Sequence, residues 1–571
     1  MTVTKNGEVY CVECASYGAR VCREYIEILL GGQNAAKLCP ASAVNALRDG
    51  EVKDVPGELT FSVKDGERNK VFVWSGKSSV WDKVEYVLRA SELHLEYSVR
   101  VFGEGKVDSV EYFCGDITSP KRGSNYEFDR GFTPIPTVDG SAQCEFSAQK
   151  SFDEFSFLTI PPLFTYVFDV EGVLPKLTFA LIARRGEHNF TKFTYNTASD
   201  GILRRFWFAT DQCGHTGVKG EWETPSILIY GADGRNEAMK YYADRYFAAG
   251  IADVRPASRK PRFWYGPIAC GWTEQAAYPD ACGLGYSQQG AARQETYDNF
   301  NRELARRDLH PTLMIIDDKW QTAYGDPYAD TSKWSDLRGW IDRNRSENGR
   351  HTMLWYKLWD SEGLPDDECM ASESQYNKRC ADPTNPAYRE RLKNTMHRLL
   401  SSDDGCYNAD GLKLDFAFFQ PTGRNAVSYS GKYGVELFLE YVKTVYEFAK
   451  AEKPDCVISA SPCHPLFAAY VDHARLHDYH PDLRRSFEEF SFRRDIYRIA
   501  IPWSLVDTDG AGYRTRRDTV RYLLNSFKLG IPDLYCITDL FGLHITDDDW
   551  KAVSDVWHDY SEWADRIADA R

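Results

Sequence analysis

Residues 294–318 read QETYDNFNRELARRDLHPTLMIIDD. The first fifteen residues have the charged and apolar spacing of an amphipathic helix, and PTLMIIDD is an unbroken apolar run ending in two acids. Such a run is expected of a strand buried on both faces, as in a parallel sheet. The same unit recurs to the end of the chain. Seven further strand candidates are FWYGPIACGW (263–272), HTMLWYKLW (351–359), GLKLDF (411–416), CVISAS (456–461), YVDHARLHD (470–478), AIPWSLVD (500–507) and IPDLYCITD (531–539). Amphipathic segments such as NPAYRERLKNTMHRLL (385–400), GVELFLEYVKTVYEFAKAE (434–452), RRDTVRYLLNSFKLG (516–530) and DDDWKAVSDVWHDYSEWAD (547–565) alternate with them. Eight strands and eight helices predict an α/β fold of the (β/α)8 TIM-barrel type. A doubly wound sheet would alternate too, but no G-x-G-x-x-G or G-x-x-x-x-G-K-[ST] follows any strand, so nucleotide binding has no anchor.

Upstream the rhythm differs. GELTFSV (57–63), KVFVWSG (70–76), HLEYSVRVFG (94–103), KLTFALIARRG (176–186), FTKFTYNTA (190–198) and RRFWFATD (204–211) are short aromatic or alternating runs between turn residues, the pattern of a β-sandwich. A helix, RNEAMKYYADRYFAAG (235–250), leads into VRPASRKPR (254–262). The expected division is therefore an N-terminal β-sandwich over 1–255 and a barrel over 256–571. A chain of 571 residues exceeds what one ordinary core supports. Its net charge of -15, with no basic stripe, argues against nucleic-acid or anionic-membrane partners and fits a neutral ligand. The opening MTVTKNGEVYCVEC lacks a signal-peptide core and no apolar stretch is long enough to span a bilayer. The fifteen cysteines are odd in number and scattered, which suits reduced thiols. These features predict a cytoplasmic location.

Barrel chemistry sits at the C-terminal ends of the strands. Those ends carry Trp272, then Asp317 and Asp318 with Trp320, then Trp355, Lys357 and Trp359, then Lys413 and Asp415, then Arg475, His477 and Asp478, and finally Asp507 and Asp509. Acids mixed with tryptophans suit an oligosaccharide or other glycoside substrate, whose rings offer an apolar face and an edge of hydroxyls. Period-two geometry puts Lys413 and Asp415 on one side of their strand, where the ammonium can hold the carboxylate ionised for nucleophilic attack. Asp478 is positioned to be the second, protonated acid. Against these roles, strand-end acids often cap helices, as Asp507 and Asp509 in SLVDTDGAG are expected to do, and Trp355 and Trp359 suit barrel filling as well as sugar stacking. His464, His477 and His480 lack zinc-motif spacing, so no metal and no cofactor is expected.

The barrel half resembles glycoside hydrolase family 36 and its clan relatives, the α-galactosidases and raffinose-synthase-like proteins. The residues that carry this are MIIDDKWQ (314–321), KWSDLRGWID (333–342), ADPTNPAYRERL (381–392) and GLKLDF (411–416). The resemblance implies Asp415 as retaining nucleophile with Lys413 as a substrate contact, sugar-binding roles for Asp317, Asp318 and Trp320, and Arg475 followed by the acid/base Asp478. Three departures stand out. Lys319 occupies the glycine position of Asp-Asp-Gly-Trp, the Arg-x-x-Asp spacing is one residue short so that Asp482 is an alternative acid, and the C-terminal β-domain common in the family is expected to be absent. The expected activity is a retaining, exo-acting α-galactosidase-like hydrolysis. A raffinose-synthase-type transglycosylase and a non-catalytic carbohydrate-binding protein are the alternatives.

Overall fold

The structure, a computed structural model, describes residues 1–114, 132–135, 161–199, 204–256, 258–476, 483–509, 515–539 and 542–570. Strands begin at Thr2, well before the first run singled out in the sequence. Five of them form an antiparallel meander over 2–38. A twelve-stranded sheet is built around two long strands, Leu95–Tyr112 and Arg204–Glu223, paired antiparallel with a register shift between Val107 and Ser109. Its strand Lys83–Ala90 buries Val84, Tyr86, Leu88 and Ala90, the period-two pattern of a sheet with one covered face. Together the sheets make the N-terminal β-sandwich.

The barrel strands are β1 (Ile268–Cys270), β2 (Leu313–Ile316), β3 (His351–Lys357), β4 (Gly411–Asp415), β5 (Val457–Ala460), β6 (His473–Arg475), β7 (Leu505–Asp507) and β8 (Asp533–Leu534). All pair in parallel in the order β7-β6-β5-β4-β3-β2-β1-β8. A parallel bridge from Asp507 to Ile531 closes the ring. Ile268, Cys270, Leu313, Ile315, Met353, Val457 and Ile531 fill the interior, so the barrel is a packed core and not a pore. The parallel barrel behind an antiparallel sandwich is the architecture expected from the alternation of apolar runs and amphipathic helices.

The eight-helix expectation is corrected at one place. Between β5 and β6 stands only a 3-10 turn, Pro465–Phe467. Helix Arg235–Ala248 packs against that turn, with Tyr242 OH 2.8 Å from His464 Nε2. His464 is thus part of a buried polar joint with Tyr242, Tyr246, His188 and Glu436. The strand candidates were also too long: residues 262–264 form a turn before β1, and Ala500 ends helix Leu483–Ala500, because aromatic-rich edges extend an apolar run past the hydrogen-bonded strand. Among the described residues no helix is long and apolar enough to cross a membrane.

Candidate functional site

An unbroken chain of polar contacts spans the C-terminal rim. Lys413 Nζ lies 2.8 Å from Asp317 Oδ2, which also accepts a hydrogen bond from the Cys270 thiol at 3.1 Å. Lys413 donates at 3.3 Å to Tyr535 OH, and that hydroxyl donates to Asp509 Oδ1. Arg475 then bridges two acids, Nη1 to Asp509 Oδ2 at 3.1 Å and Nη2 to Asp415 Oδ1 at 2.9 Å. Residues on or just after β1, β2, β4, β6, β7 and β8 thereby share one network. Burial works against the Lys413 ammonium, but Asp317 and Cys270 outweigh it and hold its pKa well above the usual lysine range. The sequence expectation that Lys413 serves Asp415 is corrected: layers built from alternate strands set Lys413 against Asp317, and Arg475 takes the place at Asp415.

Asp415 is more exposed at the cavity than the charged groups around it. Its side chain is 16% exposed, against 2–3% for Asp317, Lys413 and Arg475. Trp355 Nε1 donates to Asp415 Oδ2 at 3.0 Å, and the Phe416 amide donates to Oδ1 at 2.9 Å. Phe416 holds φ at +59°, an uncommon conformation for a bulky residue. Lys319, Trp359 and Asp509, which follow the ends of β2, β3 and β7, also have positive φ. Strained backbone thus gathers at the rim. The cavity, of about 110 Å³, is lined by Trp272, Asp317, Asp318, Trp355, Lys413, Asp415, Phe416, Phe418, Arg475 and Tyr535.

Asp318 faces the same cavity and differs from its neighbours. Burial, offset in part by the hydrogen bond from Tyr324 OH at 2.7 Å and reinforced by Asp317 and Asp415, pushes its carboxyl up to about 6. A raised carboxyl pKa favours folding below its ordinary value near 3.8 and loses that contribution as the pH climbs through about 6. Asp318→Asn is therefore expected to raise stability at pH 7.5 by on the order of 2 kcal/mol and to leave it unchanged near pH 3.5. Denaturant unfolding at both pH values checks this. Equal destabilisation at both would contradict it.

Lys319 does not reach Asp317 or Asp318. Its φ of +72° suits glycine, which accounts for the glycine of the resembling motif. Its ammonium pairs with Glu362 at 2.6 Å and sits 3.8 Å from the Tyr324 ring, one layer outside the cavity. Lys357 is placed similarly. It pairs with Asp360 at 2.8 Å and lies over the rings of Tyr324, Phe416 and Phe419, beside the cavity without lining it.

Two expected sugar contacts are corrected. Trp320 is fully buried, its indole donating to the Trp355 carbonyl, and Trp359 packs on Phe438 and Tyr441 beneath the helices. Neither lines the cavity, because each follows a strand end at a point where the chain has turned from the rim back towards the barrel wall. Asp507 and Asp509 do not cap the next helix, whose cap is Thr515. Asp509 belongs to the network, and its amide donates to Asp507, whose carboxyl is raised by burial and by Asp509. Asp478, His477 and the alternative Asp482 lie outside the described residues. Cys270, Tyr535 and Tyr324 went unnoticed in the sequence. Tyr535 had a signal, since it stands at the end of the eighth apolar run, whereas Tyr324 lies in a loop with none.

The sandwich touches this region through the loop after β4. Arg424 pairs with Asp108 at 3.1 Å and His215 stacks on Tyr433 at 4.0 Å. Among the described residues no sandwich side chain lines the cavity.

The fold and site define a barrel protein with an acidic, aromatic-walled rim cavity, and solved structures share this architecture. The cycloalternan-forming enzyme from Listeria monocytogenes, solved with a pentasaccharide substrate, matches with a TM-score of 0.51 and 12% identity over 97% of this chain and 53% of that one. A GH31 α-xylosidase from a soil metagenome, complexed with xylose, matches with a TM-score of 0.50 and 12% identity, covering 100% of this chain and 86% of its own. The GH31 dextranase of Flavobacterium johnsoniae, complexed with glucose, gives 0.51 and 10%, covering 99% and 70%. The chain spans about half the length of the Listeria enzyme. No protein-family model and no curated protein matches the sequence. At these identities the likeness establishes the fold alone: an N-terminal β-sandwich and a parallel (β/α)8 barrel. None of these three structures carries the finer expectation of family 36.

Proposed function

We propose that the chain is a retaining α-glycoside hydrolase, built as an N-terminal unit over 1–255 and a catalytic barrel over 256–571, acting on a terminal sugar. The observation that carries it is the exposure of Asp415 to the cavity while Arg475 and Trp355 hold both its oxygens. A carboxylate kept ionised and aimed is what attack on an anomeric carbon requires. In the first step the C1–Oδ bond to Asp415 forms as the C1–O bond to the leaving group breaks, and an acid delivers the proton to the departing oxygen. Asp478, which ends the sixth apolar run, is the proposed acid on the strength of the family resemblance, with Asp482 as the alternative. Water then returns the sugar with its configuration kept.

The proposed glycone is α-galactose, which rests on the motif resemblance. Structures sharing the fold are named for α-xyloside, dextran and cycloalternan chemistry. A screen of aryl α-galactoside, α-xyloside and α-glucoside, each with its β-anomer as control, tests the reading. Release of one α-linked sugar, appearing first as the α-anomer by NMR, is the expected result. Cleavage of none, or a β-anomer first, would count against it. A second reading is favoured by the elevated carboxyl of Asp318, which keeps a proton available near neutrality: Asp318 in place of Asp478 as the acid. The acid variant is the one that still turns over activated aryl leaving groups yet fails on a disaccharide, so Asp318→Ala and Asp478→Ala separate the two.

A further inference from the structure

We propose that Asp308, His310 and His558 bind a zinc-type transition-metal dication at the end of the barrel opposite the cavity. Asp308 and His310 precede β2, and His558 lies on helix Asp547–Ala570. One ligand atom from each residue lies within 4.8 Å of the other two. The imidazoles address the same carboxylate from two sides, His310 Nε2 at 2.7 Å from Oδ1 and His558 Nε2 at 3.6 Å from Oδ2. Their rings lie nearly parallel, 5.9 Å apart at 17°. The Asp308 backbone is held from behind, because it adopts φ +54° and its main-chain carbonyl accepts a hydrogen bond from Ser554 Oγ at 2.8 Å, one turn before His558.

Zinc takes imidazole nitrogen and carboxylate oxygen at about 2.0–2.2 Å in a tetrahedron. All three side chains are exposed, so small rotamer shifts draw the ligand atoms together and leave the fourth position to water. Two imidazoles and one carboxylate favour zinc, copper or nickel over calcium or magnesium. Lys551 is the nearby opposing charge, and Asp555 pairs with it at 3.2 Å. A bound ion would clamp the helix carrying the buried Trp550 and Trp557 to the chain entering β2.

The full chain, stripped with a chelator, is titrated with zinc chloride alone by calorimetry and then with cobalt(II), whose visible absorption reports coordination. The wild type is expected to take up zinc with a thermal midpoint that rises on binding. His310→Ala and His558→Ala, both changes at exposed positions, are each expected to lose one equivalent or to weaken binding at least about tenfold. Stoichiometry and affinity unchanged in both variants would overturn the proposal, as would no uptake by the wild type below about 1 mM, an affinity of only about 4 kcal/mol. Glycosidase turnover is not a readout, so this outcome is independent of the proposed activity.

Discussion

Asp415→Ala is expected to lower kcat on every glycoside the protein cleaves by on the order of 10⁴-fold or more, whatever the leaving group. No other carboxylate in the network can take over. Asp317 is committed to Lys413 and Asp509 to Arg475 and Tyr535, and Asp318 accepts the hydrogen bond from Tyr324. The fold should survive the change, because Arg475 keeps Asp509 at 3.1 Å as a partner, so circular dichroism and unfolding midpoints should stay close to the wild type. The diagnostic outcome is rescue. With Asp415 removed, azide has room to attack the anomeric carbon from the vacated side, and an activated aryl α-glycoside should yield the β-glycosyl azide. A variant retaining more than about a hundredth of wild-type kcat would show that Asp415 is not the nucleophile.

Lys413→Met should produce the largest loss of stability. It leaves the Asp317 carboxylate, 3% exposed, without a cation, holding only the hydrogen bonds from the Asp318 amide at 2.9 Å and the Cys270 thiol at 3.1 Å. Stranding one member of a buried ion pair costs about 3–5 kcal/mol. Adding Asp317→Leu should recover most of that loss, because a well-packed apolar pair of similar size is often neutral relative to the ion pair it replaces. Both variants are expected to be inactive, so the comparison is made by denaturant unfolding. If Lys413→Met costs less than about 1 kcal/mol, or if the double variant is no better, the pair is not what holds this side of the rim together.

Strand order and rim position were legible because parallel strands buried on both faces leave unbroken apolar runs, and because the polar residue ending each run must point where water is. That logic found Asp317, Asp318, Trp355, Lys413, Asp415 and Arg475, all of which line the cavity. It failed for Trp320 and Trp359, since a tryptophan just past a strand packs as readily under the helices as over the cavity, and sequence does not record the left-handed turn at Trp359. It also misassigned the partner of Lys413. Period two fixes the side of the strand on which a residue lies but not which strand across the barrel supplies its counter-charge. Asp509 looked like a helix cap because the capping pattern is local, whereas its contacts with Arg475 and Tyr535 lie 34 and 26 residues away. The missing helix between β5 and β6 was illegible for a similar reason: the position is packed by a helix from the sandwich half.

The central claim is a covalent glycosyl intermediate on Asp415, and active-site labelling tests it most directly. A 5-fluoro-α-glycosyl fluoride of the sugar identified in the screen slows both steps by destabilising positive charge at the anomeric carbon. Its fluoride leaves readily, so the intermediate accumulates. Proteolysis and mass spectrometry should then place one sugar-sized adduct on Asp415, within the peptide containing GLKLDF, and none in Asp415→Ala. An adduct on Asp318 or on any other carboxylate, with Asp415 unmodified, would contradict the account.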